Sequence, residues 1–426
     1  MAQADATAGG GAGKLDKLTT ADGTPLKASL RKAMRRNKLF AFLLAAPLLF
    51  FIVFSFLMPI FDMATRSVEN RQIPEALPRT VQVLESWDQQ AVPGEDAFAA
   101  LAQDIQEGAK NRTIGQAATR LNYQESGMRS LIMGTARRAD QLEPPYKEAL
   151  LEVDDDWGDL AIWRLLERES DYYTASYYLN AIDLTYNDQG EIVSQPEYRQ
   201  IYVMLFWRTL WMSALITGLS LLLGFPVAHL LATLPARHAN LLMILVLLPF
   251  WTSLLVRTTT WIVVLQTEGV LNDMMVWLGV ISNEGRLQMI YNQIGTIVAM
   301  TQILLPFMIL PLYSVMKGIS PSYMRAARSL GARPPIAFWR VYVPQTVPGM
   351  GAGGILVFIL AIGYYITPAL VGGQSGQLIS NYIAYHMQQS LNWGLAAAIG
   401  TILLAGVLLL YAIYNRIVGI DNMKLG

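Results

Sequence analysis

Long uncharged apolar runs, separated by short polar segments, dominate most of the chain. Leu39–Phe61 holds no charged residue over 23 positions, enough to cross a hydrocarbon core of about 30 Å at about 1.5 Å per residue. Further runs of this kind cover residues 203–233, 241–265, 292–316, 347–372 and 391–415. The pattern predicts an all-α polytopic membrane protein with six transmembrane helices.

A basic stretch precedes the first apolar run, as it does before both signal peptides and membrane anchors. The run is longer than the usual signal-peptide core of about 7–15 residues, and no Ala-x-Ala cleavage site follows it. We therefore interpret residues 38–65 as a retained first transmembrane helix. Residues 1–37 are predicted to form a disordered basic tail.

Residues 66–200 interrupt the apolar pattern with a polar segment long enough for a small domain. Apolar residues recur at helical spacing in 97–110, 125–142 and 158–179, whereas Ile182–Val193 is typical of two short strands around a turn. The acidic residues between Asp154 and Asp159 suit helix caps better than a calcium site, because the Asp-x-Asp-x-Asp-Gly spacing is absent. We predict a mainly helical insert domain.

The distribution of charge predicts the orientation of the chain. Residues 1–65 carry 8 Lys or Arg and 4 Asp or Glu, residues 66–200 carry 13 and 24, and residues 201–426 carry 11 and 4. Basic residues in short loops favour the cytoplasmic side. The N-terminus and the C-terminal segment 419–426 are therefore predicted to be cytoplasmic, and the insert extracytoplasmic.

Several kinds of chemistry find no support in the sequence. The chain has no cysteine and only three histidines, which lie on separate segments without acidic residues at ligand spacing. The glycine-rich Gly9–Leu15 lacks the Ser or Thr and the preceding strand of a phosphate-binding loop. We expect no enzymatic activity, no metal site and no nucleic-acid partner, with the lipid bilayer as the surroundings.

A charged, helix-prone stretch at 317–345 separates two apolar runs. Ser320 is a good N-cap, Pro321 fits a first helical turn, and Gly331 occupies a position that favours a left-handed residue. A second short helix is predicted from Pro334 to Pro344. The result is a helical elbow at the cytoplasmic surface, with an interfacial helix resting on lipid headgroups as the alternative. The apolar face of its first helix is predicted to hold Tyr323, Ala326, Ala327 and Leu330.

The segment "RAARSLGARPPIAFWRVYVPQTVPG" resembles the cytoplasmic EAA loop of ABC importer permeases. Ala326, Ala327 and Gly331 match its triplet and glycine, and Pro344 ends the terminal part, while Arg325 stands where the family usually has Glu. Leu247–Asn272, Leu304–Ala332 and Ile366–Ile383 are similar to the B-type permeases of spermidine/putrescine importers. The long acidic insert departs from the short outer loop of that family.

This resemblance implies a type I importer permease fold for residues 201–418 in a bacterial inner membrane. It implies a second permease subunit, two cytoplasmic ATP-binding subunits that hold ATP and Mg, and a periplasmic substrate-binding protein. The chain itself is expected to need no cofactor. The elbow is expected to dock into the ATPase through Tyr323, Arg325, Ala326, Ala327, Leu330, Gly331 and Pro344.

The fifth span predicts part of the passage. Tyr364, Tyr365 and Thr367 place hydroxyls beside Pro368, which cannot donate to a helical ladder. A broken helix with unpaired carbonyls is tolerated at membrane depth where it is buried in protein or lines a wet cavity. Tyr364–Pro368 is therefore predicted to border the route. The additional candidates are Trp251, Trp261 and Arg257, and snorkelling is the alternative role for Arg257.

The resemblance favours polyamines as cargo. An opine-like amino-acid derivative, a phosphonate or ferric ion, imported by the same machinery, are the alternatives. From a different class, a membrane sensor or scaffold is also considered. A sensor would need a cytoplasmic signalling domain, and a scaffold would not need a capped elbow between two spans.

Overall fold

The computed structural model describes residues 26–418, so residues 1–25 of the predicted tail and the segment 419–426 lie outside the described part. The chain divides into two compact units between residues 65 and 66. In the first unit, helix α1 (Leu26–Ile52) runs through a π-helical turn (Val53–Leu57) into α2 (Met58–Arg66). Residues 26–37 are thus helical, contrary to the predicted tail, because Leu, Ala, Lys, Arg and Met favour helix and no Pro or Gly interrupts them.

Residues 66–200 fold mainly as short helices around a single apolar core. Phe98 and Leu101 pack there with Trp157 and Trp163. The two indole N–H groups are paired, with Trp157 Nε1 donating to Thr135 Oγ1 at 2.9 Å and Trp163 Nε1 to the Trp157 carbonyl at 2.9 Å. The helices are α3 (Gln72–Ala76), α4 (Pro78–Leu84), α5 (Glu95–Asn111), α6 (Ile114–Gln124), α7 (Met128–Arg137), α8 (Tyr146–Val153), α9 (Leu160–Arg168) and α10 (Ser176–Ala181), with 3₁₀ turns at Ala139–Gln141, Asp155–Gly158 and Glu197–Arg199.

Two predictions for the insert agree with local geometry. Strands β1 (Leu184–Tyr186) and β2 (Ile192–Ser194) form an antiparallel hairpin, and Gly190 takes a left-handed conformation in the turn. The Asp159 carboxylate accepts from the Ala161 N–H at 2.9 Å and so caps α9. That residue therefore serves as a helix cap.

The remaining helices form the membrane core. They are α11 (Tyr202–Thr233), α12 (Ala236–Leu247), α13 (Leu254–Leu265), α14 (Val270–Trp277), α15 (Gln293–Gly318), α16 (Pro321–Ser329), α17 (Pro334–Ala337), α18 (Val343–Gly363), α19 (Ile366–Val371), α20 (Ile379–Gln388) and α21 (Trp393–Val418). The long helices α11, α15 and α18 pack on one another through residues such as Ile216, Met308 and Val357. A side chain at Gly353 would meet Met308 Sδ at 2.8 Å, so glycine permits this close approach.

Five helices in the described residues are long and apolar enough to cross a membrane, and a bent pair makes six if it counts as one span. This pair corrects the predicted run 241–265. Residues Ala236–Trp251 and Leu254–Trp277 meet at an angle of 98°. Pro249 lies in a 3₁₀ turn (Leu248–Trp251), and the backbone of Thr252 and Ser253 is extended, which ends the helical ladder.

The predicted end of the elbow at Pro344 is wrong. Residues Pro334–Gly363 form one continuous helical span, with a π-helical turn (Phe338–Tyr342) joining α17 to α18. The Val343 N–H bonds to the Phe338 carbonyl across this wider turn, and Pro344 follows in the first turn of α18. A proline inside a membrane helix is tolerated where a local π-helical adjustment re-pairs the backbone groups that the missing N–H leaves free.

The insert and the membrane core belong to one compact unit and are joined by buried contacts. The Asp183 carboxylate accepts from the backbone N–H groups of Ile201, Tyr202 and Val203 at 3.0, 2.9 and 2.8 Å, and thus caps α11. The Tyr177 ring occupies the space that a side chain at Gly394 would need. The insert is therefore held against the ends of α11 and α21.

Candidate coupling and translocation sites

The elbow helix α16 has the ends that its sequence predicts. The Ser320 hydroxyl accepts from the Ser322 N–H at 3.4 Å, and Pro321 occupies the first turn. Gly331 has a φ of +90°, and the following Ala332 N–H donates to the Ala327 carbonyl at 3.0 Å. The Ser-Pro start and the glycine stop set both ends of α16, a short helix between α15 and α17.

The faces of α16 differ from the predicted apolar face in one respect. Tyr323, Ala326 and Leu330 are exposed and lie at i, i+3 and i+7, so they share a face. Ala327 is half-buried together with Met324, which packs against the membrane core. It therefore lies on the inner side of the helix. Leu330 has 89% of its surface exposed, the strongest apolar exposure of the elbow.

Basic and aromatic side chains surround this exposed face. Arg325 and Arg328 are exposed and form no ion pair within residues 26–418. Ile336 of α17 and Trp339 of the π-helical turn after it are also exposed apolar residues. The surface of the elbow thus combines uncovered apolar groups with positive charge, as a surface that docks on a partner does.

The predicted passage residues lie at a helix break. Helix α18 ends at Gly363, Tyr364 and Tyr365 have non-helical backbone, and α19 begins at Ile366. This break lies beside the bent second core span, because Thr367 Oγ1 lies 3.3 Å from Thr258 Oγ1 of α13. Both threonines are fully buried. Two interrupted helices therefore meet at one place in the core.

The carbonyl groups at this break have partners, contrary to the predicted unpaired carbonyls. Ser380 Oγ donates to the Tyr364 carbonyl at 2.7 Å, and Asn381 Nδ2 donates to the Tyr365 carbonyl at 2.8 Å. Both donors come from α20. Their side chains supply the hydrogen bonds that the helical ladder no longer makes, which allows an irregular backbone inside the apolar core.

The four predicted residues at the break differ in accessibility. Tyr365 has 40% of its surface exposed and Tyr364 is half-buried, whereas Thr367 and Pro368 are buried. Within this group, the tyrosines are the side chains that a solute could reach. Their role in the passage remains a prediction.

The three additional candidates occupy different surroundings. Trp251 is 74% exposed on the 3₁₀ turn before the bend. Trp261 is half-buried and donates from Nε1 to Gln302 Oε1 of α15 at 3.2 Å. Arg257, in the first turn of α13, is half-buried beside Tyr364, and its Nε has no hydrogen-bond partner among the described residues. A positive charge thus lies next to the helix break.

Sequence reasoning missed Ser380 and Asn381. The signal was present as two adjacent polar residues in the otherwise apolar segment "LISNYIAY", but their partners lie sixteen residues away in the chain. Within the described residues, no group of three or more His, Cys, Asp or Glu side chains could hold a metal ion.

Comparison with known proteins relates this core to transporters. A model of the family "Binding-protein-dependent transport system inner membrane component" matches residues 220–419. The spermidine/putrescine transport system permease protein PotB of Haemophilus influenzae is 36% identical over 223 residues, which cover 52% of this chain and 77% of that protein. PotB of Escherichia coli is 35% identical over 226 residues, covering 53% of this chain and 81% of that protein. The chain belongs to this family of inner-membrane transport components.

Two further proteins are similar to parts of this chain. The inner membrane ABC transporter permease protein YdcU of Escherichia coli is 32% identical over 227 residues, which cover 51% of this chain and 72% of that protein. The crystal structure of a bacterial ABC transporter that imports alginate matches with 22% identity and a TM-score of 0.42, over 54% of this chain and 82% of that chain.

Membership of the family confirms several predictions. The permease is a helical inner-membrane subunit of a binding-protein-dependent ABC importer and has a transport role rather than an enzymatic one. Such permeases work with a second permease, an ATPase and a binding protein. The family match begins at residue 220, so the insert lies outside it.

Proposed function

We propose that this permease imports a polyamine such as spermidine or putrescine. The observation that carries the proposal is the identity of about one third to two PotB permeases over most of their length. The tyrosines at the helix break suit such a cargo, because aromatic faces attract ammonium groups by about 0.5–2 kcal/mol each. Uptake would then depend on a binding protein that selects the polyamine.

The proposed assembly contains a second permease, two cytoplasmic ATP-binding subunits and a periplasmic binding protein. The excess of Lys and Arg before the first span and in the 317–345 segment supports cytoplasmic termini and a cytoplasmic elbow. On this orientation the acidic insert faces the periplasm. ATP and Mg would be bound by the partner ATPase, and this chain would supply the passage and the lever.

The exposed face of the elbow supports a docking role. Tyr323 and Leu330 would enter an apolar groove of the ATPase, and the uncovered arginines would set the orientation by charge. Because α16 joins α15 directly to the span that contains α18, a movement of the docked elbow would shift both helices. That shift would open or close the break at Tyr364 and Tyr365.

The docking role is tested with the Leu330→Asp variant in the reconstituted complex. A carboxylate placed in an apolar groove should reduce ATP hydrolysis stimulated by the loaded binding protein about tenfold or more. The matched control is Ser329→Asp, which adds the same charge at the neighbouring exposed position. Normal stimulation in a correctly inserted Leu330→Asp complex would contradict the role of this face.

A second candidate cargo is favoured by Arg257. A half-buried cation with an unpartnered Nε beside Tyr364 repels a polyamine and attracts a carboxylate or phosphonate. The second candidate is therefore an opine-like amino-acid derivative or a phosphonate. The same membrane machinery would import it.

Uptake into proteoliposomes that contain the complete transporter decides between the two. Radiolabelled spermidine, putrescine, an opine and a phosphonate are supplied in turn outside the proteoliposomes. ATP is enclosed inside, on the side of the ATP-binding subunits. ATP-dependent uptake of a polyamine supports the first candidate, and Arg257→Gln should then leave the uptake intact or improve it. Uptake of the opine or phosphonate alone, lost in Arg257→Gln, would overturn it in favour of the second.

A further inference from the structure

A cleft of about 360 Å³ lies where the insert meets the membrane core. The insert contributes Tyr123, Asn180 and Arg199 to its walls, and the core contributes Tyr385 and Asn392. A solute-sized space of this kind, with aromatic walls and several polar groups, is the usual form of a small-molecule site. The cleft exists only because the insert and the core are joined.

The joint around the cleft is preformed. The Asp183 carboxylate holds three N–H groups at the start of α11, and the Tyr123 hydroxyl donates to the Ser390 carbonyl. The Tyr177 ring lies directly over the backbone of Gly394. Buried contacts on three sides leave the insert little freedom to rotate, so the cleft keeps its shape before a ligand enters.

Amide groups in the cleft are ready to bind an oxygen acceptor. Gln195 Nε2 donates to Asn180 Oδ1 at 3.0 Å and to the Leu184 carbonyl at 3.1 Å, which fixes both side chains. Gln124 also lines the cleft, and its buried Nε2 has no hydrogen-bond partner among the described residues. An unpaired buried donor costs about 1–3 kcal/mol, and an acceptor on a ligand would remove that cost.

The charged side chains that line the cleft favour a ligand with a negative charge. Arg199 is the cationic side chain of the lining, and the lining contains no carboxylate. His386 also lines the cleft and is neutral, because burial lowers its pKa to about 4. The nearby Asp183 is engaged by three N–H groups at a helix N-terminus, which offset its charge.

The cleft lies next to the predicted passage. The Tyr202 hydroxyl and His386 Nε2 lie 2.8 Å apart, and both residues line this cleft as well as a second one of about 420 Å³. The second cleft is lined by Asn381, whose amide holds the Tyr365 carbonyl at the helix break. The first cleft therefore shares a wall with a second one that reaches the residue holding the break.

We propose that the cleft between the insert and the core binds a small solute that carries a carboxylate. Arg199 pairs with the carboxylate, Gln124 Nε2 donates to it or to a neighbouring oxygen, and the tyrosines cover the apolar part. The proposal goes beyond the proposed function, because this site lies outside the membrane spans and is built partly by the insert. The solute is either a cargo or an effector that controls the approach to the passage.

The absence of cysteine from the chain allows a direct test in the complete transporter held in lipid nanodiscs. The Asn180→Cys variant places a thiol in the cleft, and Ser86→Cys places one on the exposed surface of the insert. Labelling of this chain by anionic sulfonatoethyl and cationic trimethylammonioethyl methanethiosulfonate is followed by mass spectrometry. We expect the ratio of the anionic to the cationic labelling rate to be roughly fivefold higher at position 180 than at position 86. The comparison with position 86 removes the difference in intrinsic reactivity of the two reagents toward a thiolate.

Protection by solutes identifies the ligand class. Sodium glutamate should slow the labelling of Asn180→Cys, whereas equal concentrations of putrescine dihydrochloride or sodium chloride should not. Adding Arg199→Gln should abolish both the protection and the preference for the anionic reagent, and the exposed control Arg137→Gln should preserve both. The same ratio of anionic to cationic labelling at positions 180 and 86, protection by putrescine instead of glutamate, or unchanged protection in Arg199→Gln would each overturn the proposal. Uptake of radiolabelled glutamate then distinguishes a cargo from an effector.

Discussion

The cap that the insert places on helix α11 leads to a quantitative prediction for Asp183. Replacing the carboxylate with alanine removes the acceptor for three backbone N–H groups at 2.8–3.0 Å. Loss of a helix N-cap costs about 0.5–2 kcal/mol. Asp183 also has a φ of +61°, and alanine in that conformation adds about 1 kcal/mol. We expect Asp183→Ala to destabilise the start of α11 by about 2 kcal/mol in total.

The Asp183→Asn variant separates the hydrogen bonds from the backbone conformation. Asparagine tolerates a positive φ and keeps one oxygen, which can still serve Ile201 and Tyr202. Its amide N–H₂ group then faces the Val203 N–H, which loses its acceptor. We therefore expect a smaller loss of about 1 kcal/mol for Asp183→Asn.

Hydrogen exchange measured by mass spectrometry tests both values in the intact protein. A loss of about 2 kcal/mol should speed exchange of the Ile201–Val203 amides by roughly 30-fold, and about 1 kcal/mol by roughly fivefold. The control is Asp188→Ala in the exposed hairpin turn, where the carboxylate forms no hydrogen bond with described residues. If Asp183→Ala is folded and exchanges at the original rate there, the insert does not cap α11.

Three further predictions concern the joint and the break. Gly394→Ala should lower the thermal midpoint because the new methyl group overlaps the Tyr177 ring, and adding Tyr177→Ala should recover part of the loss; an unchanged midpoint would contradict the close contact. Burial lowers the pKa of His386 from 6.5 to about 4, so the folded state binds this proton less readily than the unfolded state. The free energy of unfolding should therefore fall as the pH drops from about 6.5 to about 4, and this fall should be absent from a pH series of His386→Gln. In the active complex, Tyr365→Cys should react with a small water-soluble thiol reagent and Thr367→Cys should not; the reverse order of reactivity would contradict the accessibility of the break.

Local chemistry of the chain determined several features without help from tertiary contacts. The apolar runs predicted the spans because their length matches the membrane, and Ser320, Pro321 and Gly331 predicted both ends of α16. The hairpin at Ile182–Val193 followed from its turn residues. In each of these cases the deciding groups lie within a few residues of one another, so spacing along the chain is sufficient.

Two boundaries that spacing suggested were wrong because the backbone takes an irregular turn there. Pro344 was expected to end a helix, but a π-helical turn just before it keeps the helix continuous through the proline. The run 241–265 was expected to be one straight span. The extended backbone at Thr252 and Ser253 instead bends it by 98°.

Only the tertiary structure decided which distant groups meet. Asp183 finds the start of α11 across eighteen to twenty residues, Asn381 satisfies a carbonyl at the end of α18, and Tyr177 of the insert lies against Gly394 of the last helix. Hydropathy and helical spacing record how each segment faces its surroundings, but not which segment lies opposite. The sequence by itself therefore determined the membrane class and the ends of the elbow helix. Packing decided the paired helix break and the joint that builds the cleft, because each of these needs partners that are far apart in the chain.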